Sequence, residues 1–193
     1  IQYKFSGVTC YEHSQASETL LYDVEKKQWS NILLDLFQLP ANILPQLKNA
    51  TSVLGTILPE VANTLAINAE AAVVVGGGDT QLAIRSMDPS ANDVVIVSGT
   101  TTPIIKIVDT YEKDEDQRTW TSRHIDEHNF ILEANAGVTG LNYQRLKEIF
   151  YPNEGYDVIE RELEDATYSQ CVASLGSLIA DEEEPLTKGG FIF

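Results

Sequence analysis

The sequence predicts an α/β fold, and three observations carry that prediction. The run Ala72-Val73-Val74-Val75 is apolar and β-branched, as a buried strand requires. It ends in Gly76-Gly77-Gly78-Asp79-Thr80, and a helical pattern from Thr80 to Ser86 starts at once. Further on, a second strand from Asp93 to Val97 runs into the hydroxyl-rich turn Ser98-Gly99-Thr100-Thr101-Thr102. In open α/β sheets ligands bind beyond the carboxyl ends of the strands. Both turns follow strands in that sense.

The other elements follow in order. Thr19 to Asp23 is β-compatible, and Glu25-Lys26-Lys27-Gln28 makes a charged turn. Trp29 to Phe37 reads as an amphipathic helix with Trp29, Ile32, Leu33, Leu36 and Phe37 on one stripe, closed by Pro40. A loop is expected from there to Gly55, with Leu44-Pro45-Gln46-Leu47 as a hydrophobic plug. Pro59 suits the first turn of a short helix through Leu65. The polar stretch Asp88-Pro89-Ser90-Ala91-Asn92 breaks the apolar pattern and marks a domain boundary, giving 1–87 and 88–193. Beyond it Val94–Val97, Pro103–Val108, Thr119–Ile125 and Phe130–Ala134 read as successive antiparallel strands. Two helices are then expected, Leu141–Phe150 and a longer one from Asp157 to Leu178, before the acidic stop Asp181-Glu182-Glu183-Glu184-Pro185.

Composition narrows the function classes. The chain has 193 residues, 43% of them apolar, which is enough for a core. Its formal net charge of −16, from 29 acidic and 13 basic side chains, repels nucleic acid and anionic membranes. No basic cluster offsets it. Two cysteines, Cys10 and Cys171, lack metal-type spacing and fit a reducing compartment. His124 and His128 lie in a strand–turn–strand pattern, where a satisfied surface role outweighs a metal. The longest apolar run is far short of the roughly 18 residues of a membrane span, and no signal peptide is evident. A cytoplasmic protein is expected. The chain opens on Ile1 and stops on an apolar run, so it reads as a piece of something longer.

Four motifs have both a bland and a chemical reading. Asp79 can serve as a helix N-cap or as a general base held at a strand end; three glycines, free to reach φ > 0 or to admit a ligand, favour the base. Ser98–Thr102 is either a plain hairpin turn or a nest of amides and hydroxyls for an anion. No Gly-Lys-Ser/Thr follows, so it is not a Walker loop. Asn135-Ala136-Gly137-Val138-Thr139-Gly140 is either a tight loop or a helix start that favours phosphate. Glu12-His13-Ser14-Gln15 can hydrogen-bond a polyol, although a solvated loop suits its spacing better. A base and a phosphate turn so close in sequence point to phosphoryl transfer onto a hydroxyl.

In this order the pieces resemble the FGGY family of carbohydrate kinases. Ile1-Gln2-Tyr3-Lys4-Phe5-Ser6-Gly7 is similar to the family's YxLTG segment, and Gln15-Ala16-Ser17-Glu18-Thr19 with Leu21-Tyr22-Asp23 to its ASxTxLxD segment. Trp29-Ser30, Leu44-Pro45, Gly55 and Pro59-Glu60-Val61-Ala62 continue the series, followed by Gly76–Asp79 and Ser98–Thr101. The resemblance implies a ribonuclease H-like, actin-like ATPase fold of two α/β domains, present here in part. Residues 1–87 would be the end of the first, sugar-binding domain and 88–193 the start of the second, ATP-binding domain. Asp79 would take the proton from the attacking sugar hydroxyl, with Thr80 beside the sugar. Gly99, Thr100, Gly140 and Gln144 match positions that contact the nucleotide in relatives. ATP and Mg²⁺ would be the cofactors, a sugar or polyol the substrate, and no protein residue is assigned to the metal. A homodimer is compatible with the family's habit of forming dimers or tetramers.

Two departures stand out. Arg145 occupies a position where many members carry Trp. The family's Asp-x-Gly-Thr phosphate loop would precede Ile1 and its adenosine motif would follow Phe193, so this piece alone is expected to be inactive. The rival to a kinase is a non-catalytic, actin-like sensor of nucleotide or sugar, which would need no base at Asp79. A chaperone-type ATPase would lack the segments around Ala16, Trp29 and Pro45.

Overall fold

Most of the predicted strands and helices are present, although several boundaries are set by partners far along the chain. The computed structural model describes residues 1–90, 93–167, 170–174 and 190–192. It divides into two units, Ile1–Val95 with Ile105–Ala134, and Ile96–Ile104 with Asn135–Phe193.

The first unit opens with α1 (Gln2–Ser6), β1 (Cys10–Glu12) and α2 (His13–Ser17). The hairpin β2 (Tyr22–Asp23) and β3 (Gln28–Trp29) turns about the expected charged residues. Asp23 secures that turn by accepting from the Lys26 amide at 2.9 Å and from Lys26 Nζ at 3.0 Å. The next helix, α3, runs from Asn31 to Leu36, because Ser30 caps it through the Leu33 amide. Trp29 therefore belongs to β3 and not to the helix, and its indole donates to the Pro45 carbonyl at 2.8 Å. The expected stripe is displaced accordingly: Leu34 is the buried residue of α3, while Ile32, Leu36 and Phe37 are exposed.

After a 3₁₀ turn (Ala41–Ile43), the stretch expected to be a loop contains β4 (Gln46–Lys48) and β5 (Val53–Thr56). β4 pairs in parallel with β1, Cys10 opposite Gln46 and Glu12 opposite Lys48. Helix α4 (Pro59–Leu65) starts on its proline as predicted. β6 (Ala72–Val74) pairs antiparallel with β5, with a register shift between Val53 and Gly55. Ile57, Ala62 and Val73 form a core beneath this pair, covered by Phe5, Leu54, Val61 and Ala71. Helix α5 (Asp79–Met87) follows β6 and turns Gln81 and Ile84 inward.

Four strands then form one sheet: β7 (Val94–Ile96), β8 (Pro103–Val108), β9 (Trp120–Arg123) and β10 (Phe130–Asn135), in the order β7-β8-β10-β9. β9 and β10 are an antiparallel hairpin with Phe130 opposite Arg123. All four expected strands are present, with β10 inserted between β8 and β9. Ile84, Ile105 and Ile131 are fully buried. Ile84→Ala is expected to cost about 2–5 kcal/mol, whereas Ile32→Ala, at a residue 77% exposed, should stay within about 0.5 kcal/mol. Urea-denaturation midpoints of the two variants check this.

In the second unit, α6 spans Gly140–Phe150 and α7 spans Tyr156–Glu164. The long helix expected to reach Leu178 stops at its Asp165 cap. Glu160, Glu162, Glu164 and Asp165 crowd a carboxyl end, where the helix dipole disfavours negative charge. Val172–Ser174 is instead β11, paired antiparallel with β12 (Gly190–Ile192). The rest of that predicted helix and the acidic stop lie outside the described residues. Among the described residues no helix is long and apolar enough to cross a membrane.

Candidate active site

Asp79 is the first residue of α5, and Gly78 before it is the N-cap, in extended conformation at φ −60°, ψ 142°. The Asp79 carboxylate accepts from the next amide, Thr80 N, at 2.7 Å, and lies 3.5 Å from the Thr80 hydroxyl. A capping side chain bonds the amide two or three residues on, so Asp79 does not cap its helix. It is exposed, and among the described residues no ion pair engages it. The amino end of α5 favours its negative charge.

The glycines before it serve close approach and not positive φ. Gly7, Gly55 and Gly137 are the described glycines with positive φ, and none of Gly76–Gly78 is among them. A Cβ on Gly77 would stand 2.6 Å from Ile125 Cδ1 and 2.9 Å from its Cγ1. One on Gly78 would strike the Gln81 carboxamide and come within 3.3 Å of Ser14 Oγ, while Gly76 has open space.

The polar cluster at Glu12–Gln15 is not a solvated loop. Glu12 caps α2: its Oε2 accepts from the Ser14 amide at 2.8 Å, the Gln15 amide at 3.3 Å and the Ser14 hydroxyl. Glu12 and Ser14 are buried. Burial pushes the Glu12 carboxyl up, and these hydrogen bonds oppose that push. Ser14 Oγ also accepts from the Gly78 amide at 2.8 Å, and Gln15 Nε2 donates to the Gly77 carbonyl at 3.3 Å. The cluster thus braces the Asp79 turn, a role that leaves no signal in the local sequence.

The β9–β10 hairpin packs against α2, where the Arg123 amide donates to Ser17 Oγ at 3.1 Å. Arg123 is buried, with its guanidinium 4.1 Å above the Phe130 ring and donating to the Glu127 carbonyl at 2.8 Å. His124, expected at the surface, is buried with Nδ1 3.0 Å from Asp126 Oδ2. Its Nε2 has no hydrogen-bond partner among the described residues. The described residues hold no cluster of three or more His, Cys, Asp or Glu fit for a metal. Burial lowers the proton affinity of His124, against the pull of Asp126. His13 is lowered in the same sense by burial and by Lys27 and Arg123. The unfolded chain binds these protons near pH 6.5 and the folded chain only at lower pH. The histidines' contribution to stability is therefore complete above about pH 6.5 and declines as pH falls, each by at most about 1.4 kcal/mol per pH unit; the raised Glu12 carboxyl acts in the opposite sense. In denaturant titrations between pH 8 and 5, His124→Gln should therefore lose less stability toward low pH than the parent.

The second unit assembles the other motif. The Ser98–Thr102 turn is closed by Val97 N–H donating to Pro103 O at 3.0 Å and Gly99 N–H to Thr101 O at 3.2 Å. It lies on the start of α6, where Gly140 N–H donates to Gly99 O at 3.2 Å and Leu141 N–H to Thr100 O at 3.4 Å. Thr102 N–H donates to Gly137 O at 3.1 Å, and the Thr102 and Thr139 hydroxyls bond each other. Gly99, Thr100 and Gly140 are thus brought together. Two amides of the helix start are taken by the turn itself, while the Thr100 and Thr101 amides, in an exposed stretch, are not engaged by the described residues. Successive amides of that kind suit a phosphate. Gln144 sits one turn along α6, and its carboxamide donates to Glu148 at 2.8 Å.

Residues 1–85 match the model of the N-terminal domain of the FGGY family of carbohydrate kinases. The whole chain is 47% identical, over 195 aligned residues, to YoaC of Bacillus subtilis (strain 168), a protein that carries a sugar kinase name, and it covers 40% of that relative. Among solved structures, xylulose kinase from Lactobacillus acidophilus matches over 99% of this chain and 40% of its own, with a TM-score of 0.82 at 18% identity. Plasmodium falciparum glycerol kinase with ADP matches over 100% and 39%, with a TM-score of 0.75 at 15% identity. The architecture is therefore the α/β, ribonuclease H-like (actin-like ATPase) fold, present in part. The chain spans two fifths or less of the length of the curated relatives it matches. On its sequence and its fold together, it belongs to the FGGY family of carbohydrate kinases.

Proposed function

We propose that this chain is part of a carbohydrate kinase that transfers the γ-phosphoryl group of ATP to a hydroxyl of a sugar, polyol or related small metabolite. The observation that carries the reading is Asp79, an exposed carboxylate at the start of α5 that bonds only Thr80 among the described residues. Such a group is ready to accept a proton from an incoming hydroxyl. In this reading Thr80 lies beside the sugar. Gly99 and Thr100 meet the nucleotide phosphates through the unengaged amides of their turn, and Gly140 holds that turn against α6. Gln144, on the exposed face of α6, contacts the nucleotide. The ADP held by the Plasmodium glycerol kinase, a protein of similar fold, supports a nucleotide site.

ATP supplies the phosphoryl group and Mg²⁺ neutralises the charge on it when both are bound. The ion is proposed to be held chiefly through phosphate oxygens. Residues 1–87 are proposed as the end of the sugar-binding domain, in keeping with the family match over 1–85, and 88–193 as the start of the ATP-binding domain. The 193-residue chain alone is expected to be inactive. A cytoplasmic setting, where ATP is at hand, and a homodimeric assembly are proposed.

The experiment is an ADP-release assay of the intact protein against a panel of pentoses, hexoses, polyols and sugar acids. At least one should support ATP-dependent phosphorylation well above the hydrolysis background. Sugar binding without ADP release from any of them would favour a sensor instead.

A further inference from the structure

We propose that Glu12 and Ser14 are positioning residues for Asp79, acting through the backbone of the turn that carries it. This rests on the reading of Asp79 as the base. Since the Asp79 side chain bonds only Thr80 among the described residues, its carboxylate lies where the preceding peptides put it. Those peptides are bonded to α2: the Gly78 amide donates to Ser14 Oγ at 2.8 Å, and Gln15 Nε2 donates to the Gly77 carbonyl at 3.3 Å.

The Ser14 hydroxyl has one proton, which it gives to Glu12 Oε2. Its lone pairs are thereby turned toward Gly78, and a hydroxyl that donates to a carboxylate is a stronger acceptor. Glu12 is 1% exposed and Ser14 0%. The same oxygen of Glu12 also accepts the Ser14 and Gln15 amides, so it cannot swing away without releasing three donors. Ile125 packs against Gly77, where an added Cβ would also come within 3.4 Å of Ser14 Oγ. A buried carboxylate, a hydroxyl and a peptide thus form one tether that ends at the residue before Asp79. A general base must lie within hydrogen-bond reach of its proton, and a misplacement of about 1 Å can cost roughly 100-fold in rate.

The test compares Ser14→Ala and Glu12→Gln in the intact protein. Ser17→Ala is the control, because its hydroxyl bonds His13 O and the Arg123 amide and not the turn. Hydrogen exchange of the peptide spanning Gly76–Thr80 is read alongside kcat and KM. Ser14→Ala is expected to lower kcat roughly 10- to 100-fold with both KM values changed less than about threefold. Exchange at Gly78 should quicken roughly tenfold. Glu12→Gln, whose carboxamide oxygen still accepts the Ser14 proton, should show a smaller loss of the same kind, and Ser17→Ala none. Should Ser14→Ala not fold, Glu12→Gln carries the test on the same two readouts. Parental exchange and kcat in the tether variants, or an equal effect of Ser17→Ala, overturns the proposal. Parental activity in Asp79→Asn instead removes the base, leaving the quickened exchange as evidence of a purely structural tether.

Discussion

Asp79→Asn is expected to lower kcat for phosphoryl transfer roughly 10²- to 10⁴-fold, the span a positioned general base supplies, while KM for ATP stays within about threefold. Asparagine matches the size of aspartate and can still accept from the Thr80 amide, so the start of α5 survives. The charge that would take the proton is what is lost. Asp79 is exposed and outside any described ion pair, so the melting temperature should hardly move, since surface changes of this kind usually stay within about 0.5 kcal/mol. The pairing of lost turnover with unchanged melting separates a chemical role from a structural one. It is read by ADP release at saturating sugar together with a thermal scan. A variant that turned over at the parental rate would remove Asp79 from the chemistry.

The second large effect concerns Gly140. A Cβ there would land on the Gly99 carbonyl oxygen, stand 2.9 Å from its carbon, and come 3.4 Å from the Thr100 amide nitrogen. These are backbone atoms, so no flexible side chain can give way. Two effects oppose each other in Gly140→Ala. Alanine is the better helix former by about 0.8–1 kcal/mol, and overpacking costs about 1–3 kcal/mol. At the first residue of α6 the propensity gain is small, so the clash wins. The turn and the helix start must part, which also weakens the bonds from Gly140 to Gly99 and from Leu141 to Thr100. KM for ATP should rise at least roughly tenfold if that turn holds phosphate, with a smaller change in kcat. Titration calorimetry with ATP on the intact protein checks it, and undiminished affinity would separate the Ser98–Thr102 turn from the nucleotide.

What the sequence made legible was local. Pro59 marked the start of α4, the β-branched run marked β6, and the glycines before Leu141 marked α6, because each signal lies within the element it specifies. Hydrophobic spacing alone places Trp29 in a helix, and only the Ser30 cap decides that it belongs to a strand. β4 was invisible because its partner is β1, and a parallel pairing of distant segments leaves no pattern near Gln46. The burial of His124 and of the Glu12–Ser14 pair was hidden for the same reason: polar residues read as solvated until distant packing encloses them. The glycine triplet reflects close packing and not the backbone freedom that its composition suggests. Two of its members make room for Ile125, Gln81 and Ser14, and none takes up a left-handed conformation.

The bracing of the Asp79 turn by α2 has a bearing on the time course of folding. The turn itself is a handful of consecutive residues, yet its hydrogen bonds span 64 residues from Ser14 to Gly78 and 62 from Gln15 to Gly77. Closing loops of that size costs entropy before any contact repays it, and chains dominated by such contacts fold slowly. β6 and α5 can form early from local signals, but the turn between them is braced only when the amino-terminal segment docks. Protection of the Gly78 amide should therefore arrive among the last events of folding, well after most helical signal has been regained.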